Sequence, residues 1–235
     1  MSFKRNSLRF AIPLLMGISV IPAAQAATSN GIFAYSFNQT TELVLNTNLG
    51  QVTLSQSSRG WWDQTGLHYA DNDNYFAGFC GSSDACFGND IAYNNFFIFD
   101  LSGFTGGATS ATLHLFNKSV DGFISSSPSL DYSVWDVSTK LGVLAASGTG
   151  RVDIFNDLGS GLNYGGRTMT AADNGVFVDI ALNTNALAYI NSNGGNTVAF
   201  GGTVGAVPEP ETYAMLMAGL GLMGAVARRR KSKQA

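Results

Sequence analysis

The sequence predicts an all-β protein, an antiparallel β-sandwich framed by two apolar terminal segments. Three observations carry that prediction. Between residues 27 and 206 no apolar pattern keeps helical spacing over any length. Short runs of strand character recur there instead, separated by Gly, Asn, Asp and Ser. Composition agrees, because 12% charged residues with 28 Gly and 16 Phe suits short strands joined by turns.

The first apolar segment reads as an export signal over residues 1–26. Lys4, Arg5 and Arg9 supply a basic start, and residues 10–21 form an apolar core too short to span a membrane well. Pro22 breaks that core, and Ala24-Gln25-Ala26 offers the small residues that signal peptidase needs. Cleavage between Ala26 and Ala27 is the expectation; an uncleaved anchor is the competing reading. Export would place the cysteines in an oxidising space.

The body is expected over residues 27–206. Its strand candidates are 32–37, 42–46, 51–55, 96–101, 111–116, 132–137, 143–146, 151–155, 176–182 and 197–200. In residues 111–116, Ala111, Leu113 and Leu115 alternate with Thr112, His114 and Phe116, giving one aliphatic and one mixed face. One or two helical turns fit residues 185–191, with Asn183 or Thr184 as N-cap.

Charge separates the body from the ends. Residues 27–207 hold 14 acidic side chains against 5 basic ones. That balance argues against nucleic acid as a partner, because phosphate binding needs a positive surface.

Four groups in the body could carry chemistry. Cys80 and Cys86, the only cysteines, are expected to form a disulfide closing a small loop. So short a loop would stabilise the fold by roughly 2 kcal/mol. Asp71 and Asp73, with Asp84 and Asp90 nearby in sequence, gather the hard oxygen ligands that structural calcium prefers. The EF-hand pattern is absent, and Asp is also an ordinary turn residue. Trp61 and Trp62, with Tyr69, Tyr75 and Phe76, would form a glycan platform if their rings were exposed, or part of the core if they were not. Catalysis finds little support, since neither a Gly-x-Ser-x-Gly elbow nor a His-Glu-x-x-His pair occurs. Glu42 is the body's single glutamate, which excludes a Glu-Glu glycosidase pair but not one built on Asp.

The second apolar segment, residues 207–235, has three parts. Pro208-Glu209-Pro210 holds an extended lead, residues 213–227 are apolar and contain three glycines, and Arg228, Arg229, Arg230 and Lys231 follow. Fifteen helical residues span roughly 22 Å, short of a hydrocarbon core of about 30 Å. The basic cluster would stay cytoplasmic. The segment therefore suits a transient anchor in the inner membrane.

This order of lead, helix and charges over residues 207–231 resembles the PEP-CTERM sorting signal. The resemblance implies that Pro208, Glu209 and Pro210 are recognised by an exosortase, a membrane-embedded transpeptidase-like enzyme. It also implies that Arg228, Arg229 and Arg230 retain the tail until processing, in a Gram-negative bacterium that makes exopolysaccharide. The body more weakly resembles jelly-roll-like domains found ahead of such tails, in residues 95–102, 110–117 and 178–183. The expectation is a non-enzymatic protein of the cell surface or polysaccharide matrix, with polysaccharide as a candidate ligand. A secreted hydrolase, or a purely structural coat or adhesion protein, are the alternatives.

Overall fold

A computed structural model of the chain describes residues 30–34, 40–72, 74–81, 90–120, 122–205 and 223. Among the described residues the body has eleven strands, three short helices and one 3-10 turn. The strands are β1 (Asn30–Ala34), β2 (Glu42–Thr47), β3 (Gly50–Asp63), β4 (Tyr75–Cys80), β5 (Ile91–Asp100), β6 (Ala108–Phe116), β7 (Phe123–Ser125), β8 (Ser129–Trp135), β9 (Asn163–Thr170), β10 (Phe177–Ala181) and β11 (Thr197–Val204). The helices are α1 (Leu141–Leu144), α2 (Val152–Asp157) and α3 (Thr184–Ser192).

All strand pairings are antiparallel, along the path β10-β6-β2-β3-β5-β11-β8-β9. β1, β4 and β7 branch from β5. The 14-residue β3 makes the corner. Its first half pairs with β2, its second half pairs with β5, and the register shifts between Gln56 and Ser58. A bulge at such a corner turns the sheet through a sharper twist. The path nearly closes, because Gly165 in β9 bridges Leu182 just beyond β10. Arg167 reinforces that seam by donating to the Asp179 carbonyl. The expected sandwich is therefore one nearly closed, barrel-like sheet, folded over itself, rather than two sheets with free edges.

Period-two alternation builds the core. Leu43 and Leu45, Leu113 and Leu115, Val178 and Ile180 point inward from the β2/β6/β10 half. Phe97, Phe99, Tyr132, Val134, Val198 and Phe200 answer them from the other half. Helix α3 closes one end with Ala186 and Ile190, and Asn183 caps it by accepting from the Asn185 and Ala186 amides, as the sequence led us to expect.

Two strand expectations are corrected. Residues 143–146 and 151–155 fall in the α1 and α2 helical segments instead. Leu144, Ile154 and Leu158 pack on the outward face of the β3/β5/β11 half, against Trp62, Phe96, Ile98 and Ala199. An apolar run of four or five residues cannot distinguish a strand from a helical turn by period alone. Strands β4, β7 and β9 were not foreseen. The last is rich in Gly and polar residues, so it lacks the apolar alternation that marks a half-buried strand.

Candidate functional site

The α1 and α2 segments cover the outer face of one half of the sheet, whereas the outward face of β3, β2, β6 and β10 carries a cross-strand row of polar side chains. Strand register places Asp179 opposite His114, His114 opposite Glu42, and Glu42 opposite Ser55. His114 Nδ1 lies 2.5 Å from Asp179 Oδ1, with side-chain exposures of 28% and 68%. The Phe177 ring stacks on His114 at 4.5 Å between centroids and 5° between planes, and meets Phe116 edge-on. Phe177 itself is 41% exposed. Arg167 stands beside the row, paired at 2.5 Å with Asp173.

The sequence reading missed this group. The signal was present in residues 177–181, where Val178 and Ile180 alternate with Phe177, Asp179 and Ala181. Only the pairing of β10 with β6, across 65 residues, sets Asp179 against His114. The side chains opposite His114 are both carboxylates, which can accept hydrogen bonds from it and hold or move a proton.

Trp61 and Trp62, the expected glycan platform, are corrected by burial at 7% and 1% exposure. Trp62 Nε1 donates to the Leu144 carbonyl at 3.0 Å, and Trp61 Nε1 donates to Asn74 Oδ1 at 2.6 Å. Trp61 also packs edge-on against Tyr93. Both indoles are thus interior groups whose single donor is satisfied, and they present no free face to a sugar. Tyr75 and Phe76 are buried as well, while Tyr69 is exposed. Burial lifts the Tyr75 hydroxyl to about 12, against hydrogen bonds and the nearby Arg59 that act the other way.

His68 belongs to the same interior. Its Nδ1 lies 2.8 Å from the Trp61 carbonyl oxygen, and its ring packs against Trp62 and Phe96. Burial depresses its pKa below 6.5, outweighing the backbone hydrogen bonds and Asp71, which act to raise it.

Asp71 is exposed, while Asp73 and Asp84 lie outside the described residues. Among the described residues no three His, Cys, Asp or Glu side chains gather as a metal site. Cys80 is fully buried beside Trp61, Phe76 and Tyr93, and it carries no free thiol. Cys86 lies outside the described residues. So do Ala26 and Ala27, Pro208, Glu209 and Pro210, and Arg228, Arg229 and Arg230. Among the described residues no helix is long and apolar enough to cross a membrane.

The exit of β11 leads into the tail. Thr203 and Val204 pair with Ser133 and Tyr132, and Trp135 Nε1 donates to Thr203 Oγ1 at 2.9 Å. The Gly205 amide then donates to the Asp131 carbonyl at 3.1 Å. Residues 206–231, beginning at the next position, match the family of the PEP-CTERM protein-sorting motif. The chain carries a PEP-CTERM protein-sorting motif. The match indicates a protein exported to the cell envelope or surface of a Gram-negative bacterium and processed by an exosortase. It covers the tail and none of the β body. No curated protein and no solved structure matches the chain.

Proposed function

We propose that this is a non-catalytic protein of the cell surface or extracellular matrix, delivered there by removal of its PEP-CTERM tail. The match over residues 206–231, which follow strand β11 in sequence, carries this reading. In this scheme signal peptidase cuts after Ala26. The apolar segment and Arg228, Arg229 and Arg230 then hold the chain in the inner membrane, and the exosortase acts at Pro208-Glu209-Pro210. An epitope tag after Ala235, followed by fractionation, tests the scheme. The unaltered protein should shed the tag and reach the surface. Changing Pro208, Glu209 and Pro210 together to Ala should leave tagged protein in the inner membrane. A tag retained on surface-located protein would overturn the reading.

A second reading concerns what the body holds once outside. With both tryptophans interior, the exposed Phe177 ring on its His114 stack, rather than the exposed Tyr69, which has no such row beside it among the described residues, is the aromatic group that favours a glycan ligand. Asp179, Glu42 and Ser55 extend from it as a row of hydrogen-bonding groups along one face. A flat ring beside such a row suits the apolar and hydroxyl faces of a sugar. A pull-down with the producing organism's own exopolysaccharide separates this reading from a purely structural coat.

A further inference from the structure

Three large apolar side chains stay exposed together at one end of the sheet. Val120, Val176 and Phe177 are 64%, 46% and 41% exposed. The fully buried Asn117 joins the two segments that carry them. Its amide donates to the Val176 carbonyl at 3.0 Å, and its carbonyl accepts from the Gly175 amide at 2.9 Å. Its side-chain amide donates to Asn174 Oδ1 at 3.0 Å. Phe177 also meets Phe116 edge-on, which extends the patch onto β6. This apolar rim is held in place by buried polar bonds, so covering it demands little further ordering of the chain.

The chain leaves the sheet at the same end. β11 finishes beside the start of β8, with Val204 opposite Tyr132, and the Gly205 amide donates to the Asp131 carbonyl. The start of β8 faces the end of β9, with Ser129 opposite Thr170. β9 then runs through the 3-10 turn at Ala171–Asp173 into the start of β10, where Phe177 faces Phe116 at the end of β6. Gly205 and the rim are therefore three strand spacings apart, about 14 Å. Leu49, in the β2–β3 turn, marks the opposite end, since β2 pairs with β6 from Glu42 opposite His114 to Thr47 opposite Ala108. Seven residues, 206–212, separate Gly205 from the apolar run that begins at Tyr213. Fully extended, seven residues reach at most about 25 Å, which bounds how far Gly205 can stand from a membrane holding that run.

We propose that Val120, Val176 and Phe177 rest on the lipid surface of the inner membrane while the tail is attached, and so orient the body on the bilayer. The proposal rests on the anchored stage of the sorting scheme above. The charge balance favours an apolar contact over an electrostatic one. Residues 27–207 carry 14 acidic side chains against 5 basic ones, and an anionic lipid surface opposes such a body. Three side chains hold a free body to lipid only weakly. The short tether makes the contact intramolecular and keeps the rim at a high effective concentration beside the surface. Removal of the tail ends that advantage and uncovers Phe177, the ring assigned above to glycan.

The test uses the full-length chain, reconstituted by its tail into vesicles of phosphatidylethanolamine and phosphatidylglycerol with the body outside. An environment-sensitive dye is attached to V176C in one chain and to L49C in another, at the fully exposed turn of the opposite end. Lipid brominated in its acyl chains should quench the dye at residue 176 several-fold more than the dye at residue 49. Adding V120S and F177S to the V176C chain should bring its quenching down to the level at residue 49, with Tm little changed. Equal quenching at the two positions overturns the proposal. So does quenching at residue 176 that survives V120S and F177S, because the tether alone would then account for it. A full-length chain that fails to float with the vesicles refutes the anchored stage itself, and the proposal falls with it.

Discussion

Substitution of Trp62 by Phe separates an interior role from a surface role for the tryptophan pair. The ring is 1% exposed, it donates to the Leu144 carbonyl at 3.0 Å, and Gly148 packs closely against its far edge. Phe keeps most of the apolar contact with Phe96, Ile98 and Ala199 but loses the donor and part of the volume. Leaving a buried carbonyl without its partner costs about 1–3 kcal/mol. The smaller ring adds a cavity term, so the total should lie near 2–4 kcal/mol. For a domain of this size each kcal/mol lowers Tm by about 2–4 °C, which predicts a fall of roughly 4–16 °C. Trp62→Ala should cost more, about 3–5 kcal/mol from packing alone. Thermal unfolding of the exported protein, followed by circular dichroism, reads both values. An unchanged Tm for both variants, accompanied by lost glycan binding, would refute the interior assignment and restore an exposed platform.

Two further outcomes follow from the polar groups. Phe177→Ala should abolish capture by the organism's exopolysaccharide, if glycan is the ligand, while changing Tm little, because the ring is 41% exposed. Retained capture would remove Phe177 from the site. Stability should also fall as pH drops below 6.5, because the His68 pKa is depressed by burial in the folded state. Between the unfolded value and the lower folded value, the unfolded chain binds the extra proton, so acid favours unfolding there. His68→Gln should flatten that part of the profile in urea titrations across pH; an identical slope in the two proteins would rule His68 out as the source.

What the sequence revealed, and what it hid, follows from the range of each interaction. Strands β2, β5, β6, β8, β10 and β11 were legible because each has an apolar or alternating run that buries a face, as in Leu43 and Leu45 or Val178 and Ile180. Asn183 was legible as a cap because capping involves residues two and three positions away. Helices α1 and α2 were hidden because one helical turn has the same short apolar signature as a strand. Their identity is set by the sheet face they cover, which lies distant in sequence. Closure was hidden for the same reason, since the bridge between Gly165 and Leu182 depends on the twist accumulated over eight strands.

The two candidate sites differ in legibility for a related physical cause. The sorting tail is matched as one continuous motif over residues 206–231, so adjacency in sequence carries its signal. The His114–Asp179–Glu42 row exists only through register. A slip of one residue between β10 and β6 would turn Val178 and Ile180 outward and remove Asp179 from the face. Burial of Val178 and Ile180 therefore fixes the row's geometry, although neither side chain belongs to it. The polar row and the core behind it are specified by the same alternation, so the face cannot be shifted in register without unfolding the half-sheet that presents it.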